Sequence, residues 1–224
     1  MKILLLDVDD TLLDFKKCAA SSMKAAFAVH GLTYREEMFP VFLSVNTVLW
    51  QEIERGTLTK SGLYERRFAT IFDRLGLKGD ARGVENDFRK NLAVLAEPID
   101  GARETVAYLA GKYTLAVASN ASKEQQIKRL TKAGLYSYFR YIFVSEEMGA
   151  EKPSSAFFDA CFSRLPPVDR RDVMLIGDSL TADIAGGIGY GIRTCWYNPD
   201  GLPAPTGISP DHTVRTLKEL CDIL

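Results

Sequence analysis

The chain has 224 residues, of which 46% are hydrophobic and 25% are charged, and its formal net charge is −1. This composition is ordinary for a globular protein, and the balanced charge gives no basic surface for a nucleic acid polymer or an anionic membrane. No stretch of the sequence approaches the length of an apolar membrane span. The four cysteines form no CxxC pair, which is typical of reduced thiols in the cytoplasm.

The first predicted element is a buried strand over residues 2–6, an apolar run that leads directly into Asp7-Val8-Asp9. Side chains alternate along extended chain, so Asp7 and Asp9 should point to the same side while Val8 points away. A single aspartate here is more typical of a turn. Two carboxylates held this close, however, repel each other unless a cation or a proton lies between them. The pair therefore predicts a metal site.

The next part of the chain, residues 15–96, shows helical periodicity and no convincing strand. Four helices are predicted, around residues 18–29, 45–53, 63–75 and 84–95. We therefore expect an all-helical domain, residues 15–96, inserted into an α/β domain that consists of residues 1–14 and 97–224.

After Pro98, predicted strands alternate with predicted helices. The strands are expected at 113–118, 141–144, 173–176 and 192–197, and the helices at 103–109, 123–133, 155–165, 181–190 and 217–223. This alternation predicts βαβ units, and thus a Rossmann-like parallel sheet with helices on both faces, which the strand at 2–6 must join. The glycines at 186, 187 and 189 each weaken their helix by about 1 kcal/mol relative to alanine, and the sequence offers no reason for them.

Polar side chains follow four of the predicted strands. They are Asp7 and Asp9, then Ser119 and Asn120, then Lys152, and finally Asp178 and Asp183. Taken singly, each of the later ones is more typical of a helix cap or a solvated lysine. Because ligands bind outside the carboxyl ends of the strands in an open α/β sheet, the coincidence predicts one shared site.

These motifs together resemble the haloacid dehalogenase superfamily. Its signatures are DxDxT after the first strand, a serine or threonine after the second, a lysine, and a late GDxxxxD; all occur here in order, from Asp7 to Asp183. The helical insertion resembles the cap domain of that family. One departure is Asp10, where many members have glycine.

The resemblance implies a Mg²⁺-dependent phosphomonoester hydrolase. Asp7 would be the nucleophile that forms an aspartyl-phosphate, and Asp9 would protonate the leaving oxygen and then activate water. Mg²⁺ would be held by the carboxylates of Asp7 and Asp178 and by the backbone carbonyl of Asp9. Asp183 would orient Lys152 or a metal-bound water. The phosphoryl oxygens would be bound by Ser119, Asn120 and Lys152.

The substrate hypothesis rests on the helical insertion. The stretch from Asn46 to Thr59, together with residues 7–15, is similar to the pyrimidine 5′-nucleotidases of the superfamily. Asn46, Trp50 and Glu54 share one helix face, and an aromatic ring suits a flat base, although Trp50 equally suits the flank of the helical core. The expected substrates are small phosphorylated metabolites, and among them nucleoside 5′-monophosphates are the expected class. A sugar-phosphate or phosphoglycolate-type phosphatase and a phosphomutase are alternatives.

Two other functions share parts of this pattern. A dehalogenase would use the same nucleophile, but such relatives lack the second aspartate, so Asp9 argues against it. A receiver domain, which is a signalling module rather than an enzyme, also carries clustered acidic residues, a serine or threonine and a lysine on a parallel sheet. The inserted helices and the late Gly177…Asp183 motif fit a receiver poorly.

Overall fold

The computed structural model describes residues 2–224. In chain order the strands and helices are β1 Ile3–Leu6, α1 Phe15–Val29, α2 Phe39–Glu54, α3 Lys60–Leu75, α4 Ala81–Leu92, α5 Ala102–Ala110, β2 Thr114–Ser119, α6 Lys123–Lys132, β3 Tyr141–Val144, α7 Ser145–Met148, α8 Ser155–Phe162, β4 Val173–Gly177, α9 Gly186–Tyr190, β5 Arg193–Tyr197, β6 His212–Val214 and α10 Leu220–Ile223. Across these residues, no helix is both long and apolar enough to cross a membrane.

The six strands form one parallel sheet in the order β3-β2-β1-β4-β5-β6. This confirms the Rossmann-like α/β fold. The central strand β1 is buried on both faces because its side chains alternate between two apolar clusters. Leu4 and Leu6 pack in the cluster that contains α5 and α6 residues, whereas Ile3 and Leu5 pack in the cluster that contains Phe157 and Phe158 of α8.

The structure differs from the sequence prediction at the end of the chain and after β4. The edge strand β6, which pairs with β5, was not predicted because three residues give too short a pattern. The helix predicted at 181–190 is divided into a π-helical turn, Leu180–Ala185, and α9. In that turn the N–H of Ile184 donates to the carbonyl of Ser179 at 3.1 Å, one residue farther along the chain than in an α-helix.

Close packing explains two of the glycines in this region. A Cβ on Gly186 would lie 3.0 Å from Cα of Pro153, and one on Gly187 would lie 2.5 Å from Cγ2 of Thr194. Any larger residue would therefore push α9 away from the loop that carries Lys152 and from β5. The packing of α9 compensates for the low helix propensity of these glycines.

The chain divides into two compact units, Met1–Phe15 with Ala96–Leu224, and Lys16–Leu95. The first unit contains the sheet, and the second is entirely helical. At the junction the outgoing and returning segments run side by side: Leu13 forms an antiparallel bridge with Pro98. The N–H of Asp14 donates to the carbonyl of Glu97 at 2.8 Å.

The helical unit contains a buried polar network inside an aromatic core. Arg67 of α3 donates to both carboxylate oxygens of Glu85 at 3.0 and 2.6 Å and to Oδ1 of Asn46 at 2.9 Å. Its guanidinium carbon lies 4.7 Å from the centre of the Phe88 ring. Burial raises the pKa of Glu85, although Arg67 opposes this shift. The network therefore joins three helices at the cost of burying an ion pair.

Glu85→Ala is expected to lower the free energy of unfolding by about 3–5 kcal/mol, because it leaves the Arg67 charge buried without its carboxylate. Urea denaturation followed by circular dichroism measures this change. Glu65→Ala, at an exposed position of α3, is the matched control and should change stability by less than about 0.5 kcal/mol. A loss as small as that of the control would show that the ion pair does not stabilise the unit.

Candidate active site

The carboxyl ends of β1, β2 and β4 bring the predicted site residues together. Asp7 follows β1 directly, Ser119 ends β2, and Asp178 follows β4. Asp7 is only 8% exposed, and Ser119, Lys152 and Asp183 are buried. These four side chains therefore form a largely buried polar cluster, in which electrostatic interactions are stronger than in water.

Lys152 lies at the centre of this pocket and uses three donors. Its Nζ donates to Oδ1 of Asp7 at 2.8 Å, to Oδ1 of Asp183 at 2.6 Å and to the carbonyl of Ala118 at 2.6 Å. Burial disfavours the ammonium form, but the attraction of Asp183 and Asp7 outweighs it and holds the pKa of Lys152 above its ordinary value. The lysine therefore stays charged and fixes the Asp7 carboxylate.

The carboxylates around Lys152 repel one another. Burial raises the pKa of Asp7 to about 7; Lys152 opposes that shift, and the nearby charge of Asp183 adds to it. The pKa of Asp178 lies well above its ordinary value because of burial and the charges of Asp7 and Asp183. One ammonium group thus faces three carboxylates, and the site favours further positive charge.

The geometry of these carboxylates fits a divalent cation. One oxygen from each of Asp7, Asp178 and Asp183 lies within 4.8 Å of the other two. Carboxylate oxygens in a compact group are the ligands that Mg²⁺ prefers. Both carboxylate oxygens of Asp183 accept hydrogen bonds, Oδ1 from Lys152 and Oδ2 from the N–H of Ser179 at 3.1 Å, whereas Asp7 and Asp178 each accept through Oδ1. Asp7 and Asp178 are therefore the residues best able to hold the ion directly.

Mg²⁺ is expected to raise the Tm of the protein, since an ion that binds only the folded chain stabilises it by about 2.7 kcal/mol at roughly a hundredfold excess over Kd. Asp178→Asn should remove most of this shift. Scanning calorimetry with and without Mg²⁺ measures it, and Asp222→Asn, an exposed carboxylate of α10, should respond like the wild type. An undiminished shift in Asp178→Asn would show that the ion binds elsewhere.

Two neighbours hold Asp178 in place. The hydroxyl of Thr11, which is buried, donates to Oδ1 of Asp178 at 3.1 Å, and the indole N–H of Trp196 donates to the Asp178 backbone carbonyl at 2.9 Å. Thr11 belongs to the DxDxT pattern, so its place near the site follows from the sequence. Nothing in the sequence indicates the contact of Trp196.

Asn120 holds the backbone of Lys152, and its predicted contact with phosphate stays a prediction. Its Oδ1 accepts the backbone N–H of Lys152 at 2.8 Å, and its Nδ2 donates to the Lys152 backbone carbonyl at 3.0 Å. Both polar atoms of the amide are used in this way. Asn120 therefore fixes the loop that carries Lys152.

Asp9 lies beside two side chains, Gln126 and Arg129, that no motif in the sequence marks. Its Oδ2 accepts from Nε2 of Gln126 at 3.0 Å, and its Oδ1 lies 2.5 Å from Nη1 of Arg129. Gln126 also donates to Oγ of Ser119 at 2.9 Å. Both side chains belong to α6 and are fully buried, and their polarity alone does not distinguish them from ordinary surface residues of a helix.

The turn that follows β1, residues 8–13, explains why an aspartate is found at position 10. Asp10 has φ +56°, a left-handed conformation that glycine, asparagine and aspartate adopt most readily. Its Oδ1 also accepts the N–H of Phe15 at 3.0 Å, which satisfies a free donor at the start of α1. Aspartate therefore suits this position as well as glycine would.

The three predicted substrate contacts of the helical unit differ in their surroundings. Asn46 is 7% exposed and accepts a hydrogen bond from Arg67, so it belongs to the buried network described above. Trp50 and Glu54 are half-buried. The accessible part of this helix face therefore consists of the tryptophan and the glutamate.

Comparison with known proteins shows consistent similarity along the chain. Residues 4–197 match the haloacid dehalogenase-like hydrolase family. The chain is 35% identical to the HAD-hydrolase YfnB of Bacillus subtilis, covering 100% of this chain and 95% of that protein. The crystal structure of YfnB bound to magnesium superposes with a TM-score of 0.94 over 100% of this chain and 98% of that one.

Two further relatives have a named activity. The chain is 31% identical to the pyrimidine 5′-nucleotidase PynA of Streptococcus pneumoniae, covering 100% of this chain and 94% of that protein. It is also 31% identical to the pyrimidine 5′-nucleotidase YjjG of Escherichia coli, covering 97% of this chain and 95% of that protein.

Proposed function

Because the chain belongs to the haloacid dehalogenase-like hydrolase family, we propose that it is a Mg²⁺-dependent phosphatase that hydrolyses phosphate monoesters through a phosphorylated Asp7. The observation that carries this proposal is the buried Asp7 carboxylate, held by Lys152 at 2.8 Å and grouped with Asp178 and Asp183. A nucleophile fixed among charged groups, at the carboxyl end of a central strand, suits attack on a bound phosphoryl group.

In the first half of the reaction, a carboxylate oxygen of Asp7 attacks phosphorus and forms a P–O bond, while the bond from phosphorus to the ester oxygen breaks. Asp9 gives its proton to the departing oxygen, which leaves as an alcohol. The three N–H groups of Lys152 already donate within the protein, so the lysine contributes its positive charge, and together with the hydroxyl of Ser119 this charge stabilises the phosphoryl oxygens. The products of this half are the free alcohol and the aspartyl-phosphate.

In the second half, water attacks the same phosphorus atom. Asp9, now a carboxylate, takes a proton from that water, and the bond between phosphorus and Asp7 breaks. Inorganic phosphate leaves, and both aspartates return to their starting forms. When bound by Asp7, Asp178 and the backbone carbonyl of Asp9, Mg²⁺ supplies positive charge that reduces the repulsion between the phosphoryl group and the carboxylates.

For the substrate class, the proposal is nucleoside 5′-monophosphates, pyrimidine ones in particular. It is supported by the activities named for PynA and YjjG, which match this chain over nearly its whole length. Within the helical unit, Trp50 supplies a half-buried ring of α2 that can stack on a base. The expected ligand is therefore a small phosphorylated metabolite with a flat aromatic group.

Trp50→Ala is expected to lower kcat/KM for uridine 5′-monophosphate by about 5- to 150-fold, the equivalent of about 1–3 kcal/mol of base stacking. Activity on p-nitrophenyl phosphate should change little. Steady-state assays with both esters and with ribose 5-phosphate measure this selectivity. Tyr64→Ala, which removes another half-buried ring of the helical unit, is the control. Equal losses on all three esters would reject a role for Trp50 in base recognition.

A further inference from the structure

Helix α6 presents two buried polar side chains to Asp9. Gln126 and Arg129 are three residues apart, so they lie on the same face of the helix. Nη1 of Arg129 also lies 3.4 Å from Oε1 of Gln126, and each of the two side chains contacts a different oxygen of Asp9. The Asp9 side chain itself is 30% exposed. One helix thus contacts both oxygens of a carboxyl group that is still partly exposed to solvent.

Gln126 connects Asp9 to the proposed phosphoryl-binding residue. Its single NH₂ group donates to Oδ2 of Asp9 at 3.0 Å and to Oγ of Ser119 at 2.9 Å. An amide nitrogen has two N–H donors in a fixed plane, so this contact sets the separation of the two oxygens. Ser119 ends β2, and α6 begins after the Ser122 cap, which ties the helix closely to the same sheet edge.

Burying the polar groups of Gln126 and Arg129 costs free energy of folding. An amide and a guanidinium in an apolar setting lose water, and hydrogen bonds recover only part of that free energy. The neighbouring Leu130 packs in the apolar cluster beneath the sheet, which shows that an apolar side chain suits this side of α6. Two polar groups at such positions indicate a function that packing alone does not provide.

We propose that Gln126 and Arg129 are positioning residues that hold the Asp9 carboxyl group at a fixed distance from the phosphoryl group bound at Ser119. This rests on the proposed function, in which Asp9 gives a proton to the leaving oxygen. Neither residue touches the substrate. Arg129 fixes one oxygen of Asp9, and Gln126 fixes the other together with the Ser119 hydroxyl.

The proposal predicts a dependence on the leaving group. Phenyl phosphate releases a more basic oxygen than p-nitrophenyl phosphate, so its hydrolysis depends more strongly on proton donation. Because kcat/KM reports the steps up to formation of the phosphoenzyme, Gln126→Met should lower it by about 10²-fold for phenyl phosphate, the scale of a misplaced catalytic group. The loss for p-nitrophenyl phosphate should be smaller by about tenfold or more.

The variants are chosen so that misfolding cannot imitate this result. Gln126→Met removes the contacts to Asp9 and Ser119, and Arg129→Met removes the contact to the other oxygen of Asp9. Gln126→Met replaces an uncharged group by one of similar size, so it tests the proposal even if Arg129→Met does not fold. Gln125→Met and Lys128→Met are matched substitutions at neighbouring positions of α6 and should behave like the wild type. Tm and circular dichroism of each variant establish that it is folded.

Asp9→Asn separates failure of this inference from failure of the proposed function. If Asp9→Asn shows the selective loss on phenyl phosphate and folded Gln126→Met shows it too, the positioning role is supported. If Asp9→Asn shows the selective loss but Gln126→Met loses activity equally on both esters, the positioning role is overturned and the proposed function stands. If Asp9→Asn itself shows no selectivity, the acid role of Asp9 is wrong, and the inference is overturned with it.

Discussion

Asp7→Asn is expected to abolish phosphatase activity, with kcat for p-nitrophenyl phosphate falling at least about 10⁴-fold, as when the nucleophile of a hydrolase is removed. An amide is not a nucleophile towards phosphorus, and it also removes a negative charge that the metal ion needs. The protein should stay folded, because burial already disfavours the ionised form of Asp7. A continuous colorimetric assay in Mg²⁺ measures the loss.

The matched control is Asp200→Asn, which changes an exposed carboxylate in the loop after β5 and should leave kcat unchanged. Chelation of Mg²⁺ in the wild type should cause a loss similar to that of Asp7→Asn. Retention of substantial activity in Asp7→Asn, or in the chelated wild type, would contradict the mechanism.

Asp9→Asn is expected to lower kcat by about 10²- to 10⁴-fold, the usual contribution of a general acid and base, with KM close to that of the wild type. The amide cannot donate a proton to the leaving oxygen or accept one from water, but the interactions proposed for the phosphoryl group, with the Ser119 hydroxyl and the charge of Lys152, are unchanged. Normal turnover in this variant would assign Asp9 a purely structural role. A large rise in KM with unchanged kcat would instead make it a binding residue.

The sheet could be predicted from the sequence because each buried strand is a short apolar run between polar loops. The strand predicted at 141–144 coincides with β3, the one predicted at 113–118 is shifted by one residue from β2, and the other predicted strands differ from the observed ones by one residue at one end. The short edge strand β6 lacks such a run and depends on pairing with β5. The π-helical turn after β4 depends on the hydrogen bond from the N–H of Ile184 to the carbonyl of Ser179. The spacing of apolar residues in the sequence does not indicate this bond.

The candidate site could be predicted where its residues follow strands. Asp7, Ser119 and Asp178 lie at ends of adjacent strands, so topology alone brings them to one edge. The contacts of Asp9 with Arg129, and of Asn120 with Lys152, join residues separated by 120 and 32 positions. No local pattern marks such pairs, because a glutamine or an arginine on a helix has the same appearance whether it faces water or a buried carboxylate.

Helical spacing was also insufficient to describe the surroundings of the predicted substrate residues. The pattern places Asn46, Trp50 and Glu54 on one face of α2. The structure buries Asn46 at one end of this face, where Arg67 and Glu85 arrive from other helices. The ion pair from α3 and α4 thus determines which part of the face remains accessible, and this information lies outside α2.

Detection of a phosphoenzyme is the measurement that tests the central claim most directly. Wild-type protein would be mixed with a radiolabelled phosphate monoester in Mg²⁺, quenched in acid within one turnover, and digested so that the labelled peptide is identified by mass spectrometry. We expect the label on Asp7 in the wild type and no labelled peptide in Asp7→Asn. Product formation without a labelled protein at any time in the first turnover, or a label on a residue other than Asp7, would contradict the proposed mechanism.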